Sequence, residues 1–193
     1  MLRIDALDVS IESVGILRGV NLAVGSGRFA GLIGRNGAGK TTLMRSIMGI
    51  LPWRAGGIAF DGKPLAGVPV HVRAQLGIGY MPEDRRLIPE LTVAENVLLP
   101  AWSTHAADAD ARLQRVYNMI PEVGNFAGRK ALQLSGGQQK LVALARALMC
   151  GDKLLLLDEP FEGVAPVLAR RLADVIADLK RAGLTVILSA SSL

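Results

Sequence analysis

The sequence has few of the features that mark extracellular or membrane-spanning proteins. It holds one cysteine, Cys150, in 193 residues, which excludes an internal disulfide and is typical of a reducing compartment. No apolar run approaches the roughly 18 residues that a membrane-spanning helix needs, and the first residues do not resemble a signal peptide. We therefore expect a soluble cytoplasmic domain, whose role at a membrane would depend on a partner subunit.

The sequence also lacks long runs of like charge. Its net charge is +5, but no run of basic residues is longer than two. Charge scattered in this way is typical of a solvated surface rather than of a stripe that follows nucleic-acid phosphates, so we predict no nucleic-acid partner. Half of the residues are hydrophobic and 20% are charged, which is enough apolar material for one packed domain.

The patterns of apolar residues predict an α/β fold. Period-two alternation near the start, followed by a hairpin at Asp61-Gly62, predicts an N-terminal antiparallel β subdomain. Helical patterns between Glu83 and Leu134 predict an inserted helical subdomain. The continuously apolar segments "LLLL" and "LTVIL" are typical of parallel strands buried on both faces, and helices are predicted from Gly136 to Met149 and from Pro166 onward.

The segment "GRNGAGKTT" fits the pattern G-x-x-x-x-G-K-[ST], and it follows a predicted strand and opens a predicted helix. Glycines let backbone N–H groups wrap a phosphate, and the helix N-terminus adds partial positive charge. Lys40 would reach the β- and γ-phosphates and serve catalysis, and the Thr41 hydroxyl would bind Mg²⁺. The predicted ligands are therefore ATP and Mg²⁺, and the predicted nucleotide-binding residues of this loop are Gly34, Arg35, Asn36, Gly37, Ala38, Gly39, Lys40, Thr41 and Thr42.

Two further segments carry chemistry. Asp158 ends a buried strand, where it can hold Mg²⁺ through water, and Glu159 beside it can polarise an attacking water. The segment "LSGGQQ" places Ser135 as the N-cap of a helix whose two glycines make a poor first turn for a structural purpose. Its exposed N–H groups would suit a phosphate, and because this segment lies far from Lys40 in the sequence, that phosphate could belong to another subunit.

In this order and around a helical insert, the phosphate loop, "LSGGQQ" and "LLLLDEP" resemble the ATPase domain of ABC transporters. "GIGYMPEDRRLIPELTVAENVLL" and "DEPFEGVAP" are similar to the ATP-binding subunits of branched-chain amino-acid-type importers. The resemblance runs from residue 1 to about residue 188. It implies a P-loop NTPase core that is divided into 1–82 (β subdomain and Walker A), 83–134 (helical subdomain with the Q-loop) and 135–193 (signature motif, Walker B and last core strand).

The resemblance also implies partners. The family forms a head-to-tail dimer with two ATP molecules between the subunits, as a homodimer or a heterodimer. The signature residues would then contact the ATP bound to the partner. Glu83 stands at the Q-loop position, where it would touch Mg²⁺ or the lytic water and mark the docking surface of the transmembrane permease. The chain would thus be cytoplasmic and peripheral on the inner face of the cell membrane, and the signature residues are Ser135, Gly136, Gly137 and Gln138.

This sequence departs from the family in three places. The position that usually stacks an aromatic ring on adenine holds Ile11, with Val14 as the second contact, which predicts weak base selectivity. The catalytic switch histidine is replaced by Ser191, which cannot carry charge near neutral pH. The family also continues for some tens of residues, so the sequence alone suggests a C-terminally truncated or variant subunit whose phosphate-loop strand has an open edge.

The resemblance leaves three functions in view. The first is an ATPase that powers an importer, with branched-chain amino acids or similar small polar solutes as cargo. The second is a non-transport ABC ATPase that acts on nucleic acid or ribosomes, which usually has paired ATPase domains or long coiled insertions. The third is a nucleotide-binding module with little turnover, which Ser191 favours and which Lys40, Asp158 and Glu159 oppose.

Overall fold

The computed structural model describes residues 1–191, which form two four-stranded sheets and seven α-helices. One short 3₁₀ helix, Ala131–Gln133, precedes α6. In chain order the elements are β1 (Leu2–Ile11), β2 (Val14–Val24), β3 (Phe29–Ile33), α1 (Lys40–Met48), β4 (Ala55–Phe60), β5 (Lys63–Pro64), α2 (Val70–Gln75), β6 (Ile78–Met81), α3 (Val93–Ser103), α4 (Ala109–Met119), α5 (Pro121–Asn125), α6 (Gly136–Leu148), β7 (Leu154–Leu157), α7 (Pro166–Arg181) and β8 (Thr185–Ala190).

The first sheet is antiparallel, with the strand order β2-β1-β4-β5. Its hairpin between β4 and β5 turns at Asp61 and Gly62, whose φ angles of 49° and 76° are those of a tight primed turn. Apolar side chains of β1 are buried beneath the sheet, and register shifts along β1 reconcile its irregular spacing with a single buried face. The predicted N-terminal β subdomain and its hairpin are present.

The second sheet is parallel, with the strand order β3-β8-β7-β6. The two apolar segments predicted as parallel strands are β7 and β8, and β8 lies between the Asp158 strand and the phosphate-loop strand. Within residues 1–191, β3 is an edge strand. The predicted last segment extends to residue 193, and Ser192 and Leu193 lie outside the described residues.

Strand β7 separates two hydrophobic cores. Alternate side chains of a strand point to opposite faces, so Leu155 and Leu157 pack into one core while Leu154 and Leu156 pack into the other. The first core is formed with helices α3, α4, α6 and α7, and the second with α1 and the antiparallel sheet. All four leucines are completely buried, which explains the unbroken apolar run.

Helix α6 is buried on more sides than the sequence suggested. The spacing of Leu141, Leu144, Ala145 and Leu148 predicted one apolar face, but Val142 and Ala143 are buried as well. The reason is tertiary, because α6 contacts β6 and β7 on one side and α3 on the other. Helices α3 to α5 occupy the stretch predicted as a helical subdomain, whose limits stay a prediction, and among residues 1–191 no helix is long and apolar enough to cross a membrane.

Candidate active site

The phosphate loop joins β3 to α1 and forms the wall of a cavity of about 390 Å³. Residues from distant parts of the sequence reach this cavity, because β3 and β7 both end at the same edge of the parallel sheet. The lining consists of loop residues, one residue of β2 and two acids, namely Ile16, Asn36, Gly37, Ala38, Gly39, Lys40, Thr41, Thr42, Glu83 and Glu159. The structure thus brings the phosphate loop together with Glu83 and Glu159.

Two of the three loop glycines are required by backbone conformation. Gly37 and Gly39 have φ angles of 83° and 92°, which L-residues rarely adopt, and a Cβ on Gly39 would lie 2.7 Å from Leu17 Cδ2. Glycine is favoured at position 34 for a different reason, because the φ angle of Gly34 is not positive. A Cβ there would lie 3.3 Å from the Cβ of Ala38, so close packing across the loop favours glycine.

Lys40 makes contacts on both sides of the loop. Its Nζ donates to the carbonyl oxygens of Gly34 at 2.5 Å and Arg35 at 3.2 Å. It also lies 3.1 Å from Glu159 Oε1, in an ion pair whose side chains are only 10% and 9% exposed. Two of the three residues predicted to be catalytic, which are Lys40, Glu159 and Ser191, therefore contact each other directly.

Asp158 is completely buried at the end of β7. Its Oδ1 accepts a hydrogen bond from the Ser189 hydroxyl at 2.7 Å, and its Oδ2 accepts one from Tyr80 at 3.3 Å. Burial, and then the negative charge of Asp158, raise the pKa of Tyr80 to about 12, so this phenol stays a donor across the physiological range. Both carboxylate oxygens are therefore held by uncharged donors.

Glu159 is held at its backbone and at its side chain. Its φ of 45° lies in the left-handed region, which is sparsely populated by non-glycine residues and often found at functional sites. Its N–H donates to Ser189 Oγ at 2.9 Å, and its Oε2 accepts the backbone N–H of Ser191 at 3.0 Å. Ser191 does reach the site as predicted, but the contact is made by its main chain rather than by its hydroxyl.

A buried lysine that the sequence analysis did not identify contacts the backbone of Glu83 and of Glu159. Lys140, in the second turn of α6, is 1% exposed and donates to the carbonyl oxygens of Glu83 at 3.1 Å and Glu159 at 2.9 Å. Burial lowers the pKa of Lys140, and partial burial together with the charges of Glu162 and Asp158 raises the pKa of the exposed Glu83. The sequence signal that could have identified Lys140 is its position directly before the apolar run "LVALARAL".

The segment "LSGGQQ" opens α6 but does not line the cavity. Ser135 is the N-cap as predicted, and it exchanges two hydrogen bonds with Gln138 in a capping box. Gly137 also has a packing contact, because a Cβ there would lie 2.0 Å from Leu168 Cδ1 on α7, the end of a half-buried side chain that would have to shift. A Cβ on Gly136 would lie 3.4 Å from Arg85 Nη1, an ordinary contact.

The predicted base contacts, Ile11 and Val14, lie opposite each other across the β1–β2 turn. Their side chains are 43% and 61% exposed, and neither is among the residues that line the cavity. Ile16, two residues after Val14, does line it. The role of Ile11 and Val14 therefore stays a prediction, and Ile16 joins them as a candidate contact to the nucleotide.

Comparisons with known proteins give a consistent result. A family model described as "ABC transporter" matches residues 17–162. The "High-affinity branched-chain amino acid transport ATP-binding protein BraG" of Pseudomonas aeruginosa is 35% identical over 97% of this chain and 81% of its own length. The "Lipopolysaccharide export system ATP-binding protein LptB" of Escherichia coli is also 35% identical, over 90% of this chain and 73% of its own.

A solved structure agrees with these relatives. It is described as a dimeric post-hydrolysis state of an ATP-binding cassette bound to ADP and Pi. It superimposes with a TM-score of 0.87 at 26% identity, over 98% of this chain and 88% of that one. The similarity thus extends over 90% to 98% of this chain and over 73% to 88% of the compared proteins.

Proposed function

This chain belongs to the ATP-binding subunits of the ABC transporter family, which are ATPases, and we propose that it hydrolyses Mg²⁺-bound ATP to drive an importer. The observation that carries the proposal is the cavity at the phosphate loop, where Lys40, Thr41 and Glu159 meet. A lysine, a hydroxyl and a carboxylate are the groups that phosphate binding, metal binding and water activation need.

The ion pair between Lys40 and Glu159 suggests how binding prepares hydrolysis. A phosphate that enters the loop competes with Glu159 for Lys40, because the phosphate and the Glu159 carboxylate are both anions that bind the same ammonium group. Once Lys40 turns to the phosphate, Glu159 keeps its contact to the Ser191 N–H and is free to accept a proton from an attacking water. Binding therefore releases the base that hydrolysis uses.

The donor set fits Mg²⁺. Mg²⁺ keeps several waters and takes phosphate oxygens as ligands, so it needs few protein side chains. Thr41 on the cavity wall would hold the ion, and Glu83 on the same wall would contact it or the water beside it. Asp158, which is completely buried and does not line the cavity, would hold it through water. When bound, Mg²⁺ neutralises the charge that develops on the phosphates.

The signature segment supports assembly into a head-to-tail dimer, as a homodimer or with a second ATPase subunit. The capping box uses the N–H groups of Ser135 and Gln138, which leaves those of Gly136 and Gly137 at the start of α6 for a phosphate held by a partner. We assign Ser135, Gly136, Gly137 and Gln138 this role. The dimeric form of the solved neighbour is consistent with such an assembly.

The proposed cargo is a branched-chain amino acid or a similar small polar solute. The BraG relative and the segments "GIGYMPEDRRLIPELTVAENVLL" and "DEPFEGVAP" support this choice, although LptB is equally identical and is named for lipopolysaccharide export. The chain would act at the inner face of the cell membrane through permease subunits. Those subunits, rather than this chain, would contact the cargo.

A second candidate is a nucleotide-binding module with low turnover. The observation that favours it is Ser191, which contacts Glu159 only through its main chain and offers no ionisable group. ATPase activity of the chain alone and with its co-purified permease subunits separates the two functions. Stimulation by the permease supports the transport function, and activity that stays at background in both samples supports the low-turnover module.

Uptake by vesicles tests the cargo. Vesicles that hold the complete transporter should accumulate labelled leucine, isoleucine or valine in an ATP-dependent manner. Uptake of none of these, with permease-stimulated ATPase intact, would contradict the cargo and leave the transport function standing. Stimulation of the isolated chain by nucleic acid would contradict both functions.

A further inference from the structure

One buried hydroxyl, that of Ser189, contacts both Asp158 and Glu159. Ser189, near the end of β8, is completely buried, although the three residues before it are apolar and buried. Its Oγ lies 2.7 Å from Asp158 Oδ1 and 2.9 Å from the backbone nitrogen of Glu159. This single side chain therefore contacts both the predicted metal-binding acid and the predicted base.

The direction of these hydrogen bonds is fixed by chemistry. The Glu159 N–H can only donate, so Ser189 Oγ must accept there and its own hydrogen remains for Asp158. An ionised carboxylate only accepts, which makes it the matching partner of that hydrogen. Ser189 Oγ therefore accepts from Glu159 and donates to Asp158 at the same time.

We propose that Ser189 is a positioning residue, which fixes the Asp158 carboxylate for Mg²⁺ and holds Glu159 in its left-handed conformation. This inference rests on the proposed function, since it concerns the same Mg²⁺–ATP site. Tyr80 holds the second Asp158 oxygen, so the two hydroxyls together prevent the carboxylate from rotating. Asp158 itself is completely buried and does not line the cavity, so its place beside Glu159 depends on these two hydrogen bonds.

The link to Glu159 matters because of its backbone. A non-glycine residue at φ 45° persists only when its surroundings hold it there. Ser189 accepts its N–H and Lys140 donates to its carbonyl, while Lys40 and Ser191 contact its carboxylate. Removal of the Ser189 hydroxyl leaves the N–H of Glu159 buried without its acceptor.

The test measures the affinity for ATP with saturating Mg²⁺ and with EDTA, for the wild-type chain and for Ser189→Ala. Loss of a hydrogen bond to a charged group predicts about tenfold weaker binding in Mg²⁺. Binding in EDTA should change less than about twofold, because the phosphate loop is untouched. Where turnover is measurable, kcat should fall as well, since Glu159 loses one of its restraints.

Thr185→Val is the matched control. Thr185 lies on the same strand, is 1% exposed, and accepts the backbone N–H of Gly27 at 2.9 Å without contact to either acid. Both substitutions remove a buried hydroxyl and should lower the melting temperature. Only Ser189→Ala should change the ratio of the ATP affinity in Mg²⁺ to the ATP affinity in EDTA. Ser189→Thr, which keeps the hydroxyl, should have a ratio close to that of the wild type.

An unchanged affinity ratio in Ser189→Ala would overturn the proposal, as would an equal change in Thr185→Val. If Ser189→Ala does not fold, Ser189→Cys, which keeps the volume but donates weakly, is measured under the same criterion. A wild-type chain that binds no ATP in Mg²⁺ would instead contradict the proposed function. The two failures are therefore distinguishable.

Discussion

Two helices of this protein begin with glycine-rich segments, and they differ in how their first N–H groups are satisfied. Helix α1 begins after Gly39, whose left-handed conformation provides no side-chain cap, and it opens on a cavity of about 390 Å³. Helix α6 begins after Ser135, which forms a complete capping box with Gln138. Its Gly137 is packed against Leu168 rather than exposed to that cavity.

The difference indicates what each helix start does. The start of α1 has no side-chain cap, which leaves its first N–H groups for a phosphate. The start of α6 is capped by its own side chains. We propose that ATP binds at α1 of one chain and that α6 of another completes the hydrolytic site, and the predictions below test this division.

The largest effect is expected for Glu159→Gln, on the α1 side of the comparison. A glutamine cannot accept the proton of an attacking water, so hydrolysis should fall by roughly 10²–10⁴-fold. ATP affinity should be retained or increase, because glutamine no longer forms the ion pair with Lys40. Phosphate release and equilibrium binding measure the two effects, and unchanged turnover would refute the role of Glu159.

The next effect is the loss of binding in Lys40→Ala. Removal of the ammonium group that reaches the phosphates should weaken ATP binding by about a hundredfold, from two charge-assisted hydrogen bonds. Lys63→Ala, at an exposed lysine of β5, is the control and should bind as the wild type does. Equal ATP affinities of Lys40→Ala and Lys63→Ala would contradict ATP binding at the start of α1.

Gly137→Ala tests the α6 side. A methyl group here meets Leu168, so stability should fall by about 1–3 kcal/mol from overpacking. ATP binding by the isolated chain should be unchanged, whereas hydrolysis should fall by at least about tenfold through the loss of a contact to the partner's phosphate. Calorimetry and phosphate release measure both effects.

The double variant Gly137→Ala/Leu168→Ala separates packing from function, because the second change makes room for the new methyl group. Stability should improve relative to Gly137→Ala while hydrolysis stays low, and recovery of both would reduce Gly137 to a packing residue. In a homodimer, a mixture of Lys40→Ala and Gly137→Ala chains should regain activity, since one of its two composite sites is intact. Parents as active as the mixture would exclude this composite arrangement.

The smallest effect concerns the base. With aliphatic residues in place of an aromatic ring, ATP and GTP should bind within roughly tenfold of each other, or about 1.4 kcal/mol. Ile16→Ala should weaken both nucleotides to a similar extent, because Ile16 lines the cavity. A much larger preference for ATP would mean that a group not yet assigned reads adenine.

The sequence allowed a large part of this structure to be predicted. The helix after the phosphate loop, the Asp61-Gly62 hairpin, the start of α7 at Pro166 and the buried parallel strands β7 and β8 all agree with expectation. These features depend on local signals, such as turn glycines and helix-initiating prolines, or on the unbroken apolar character of strands buried on both faces. The phosphate loop also depends on local signals, because consecutive residues build it.

Tertiary structure decided the contacts between distant segments. Ser189 contacts Asp158 and Glu159, Lys140 contacts Glu83 and Glu159, and Leu168 packs against Gly137. The order β3-β8-β7-β6 and the packing of α6 and α7 bring these segments together. The residues of each pair are separated by tens of positions in the sequence, so no local pattern predicts their contact. The sequence by itself determined the elements and the phosphate loop through short-range chemistry, whereas only the packed sheet decided which side chains orient the acids at its edge.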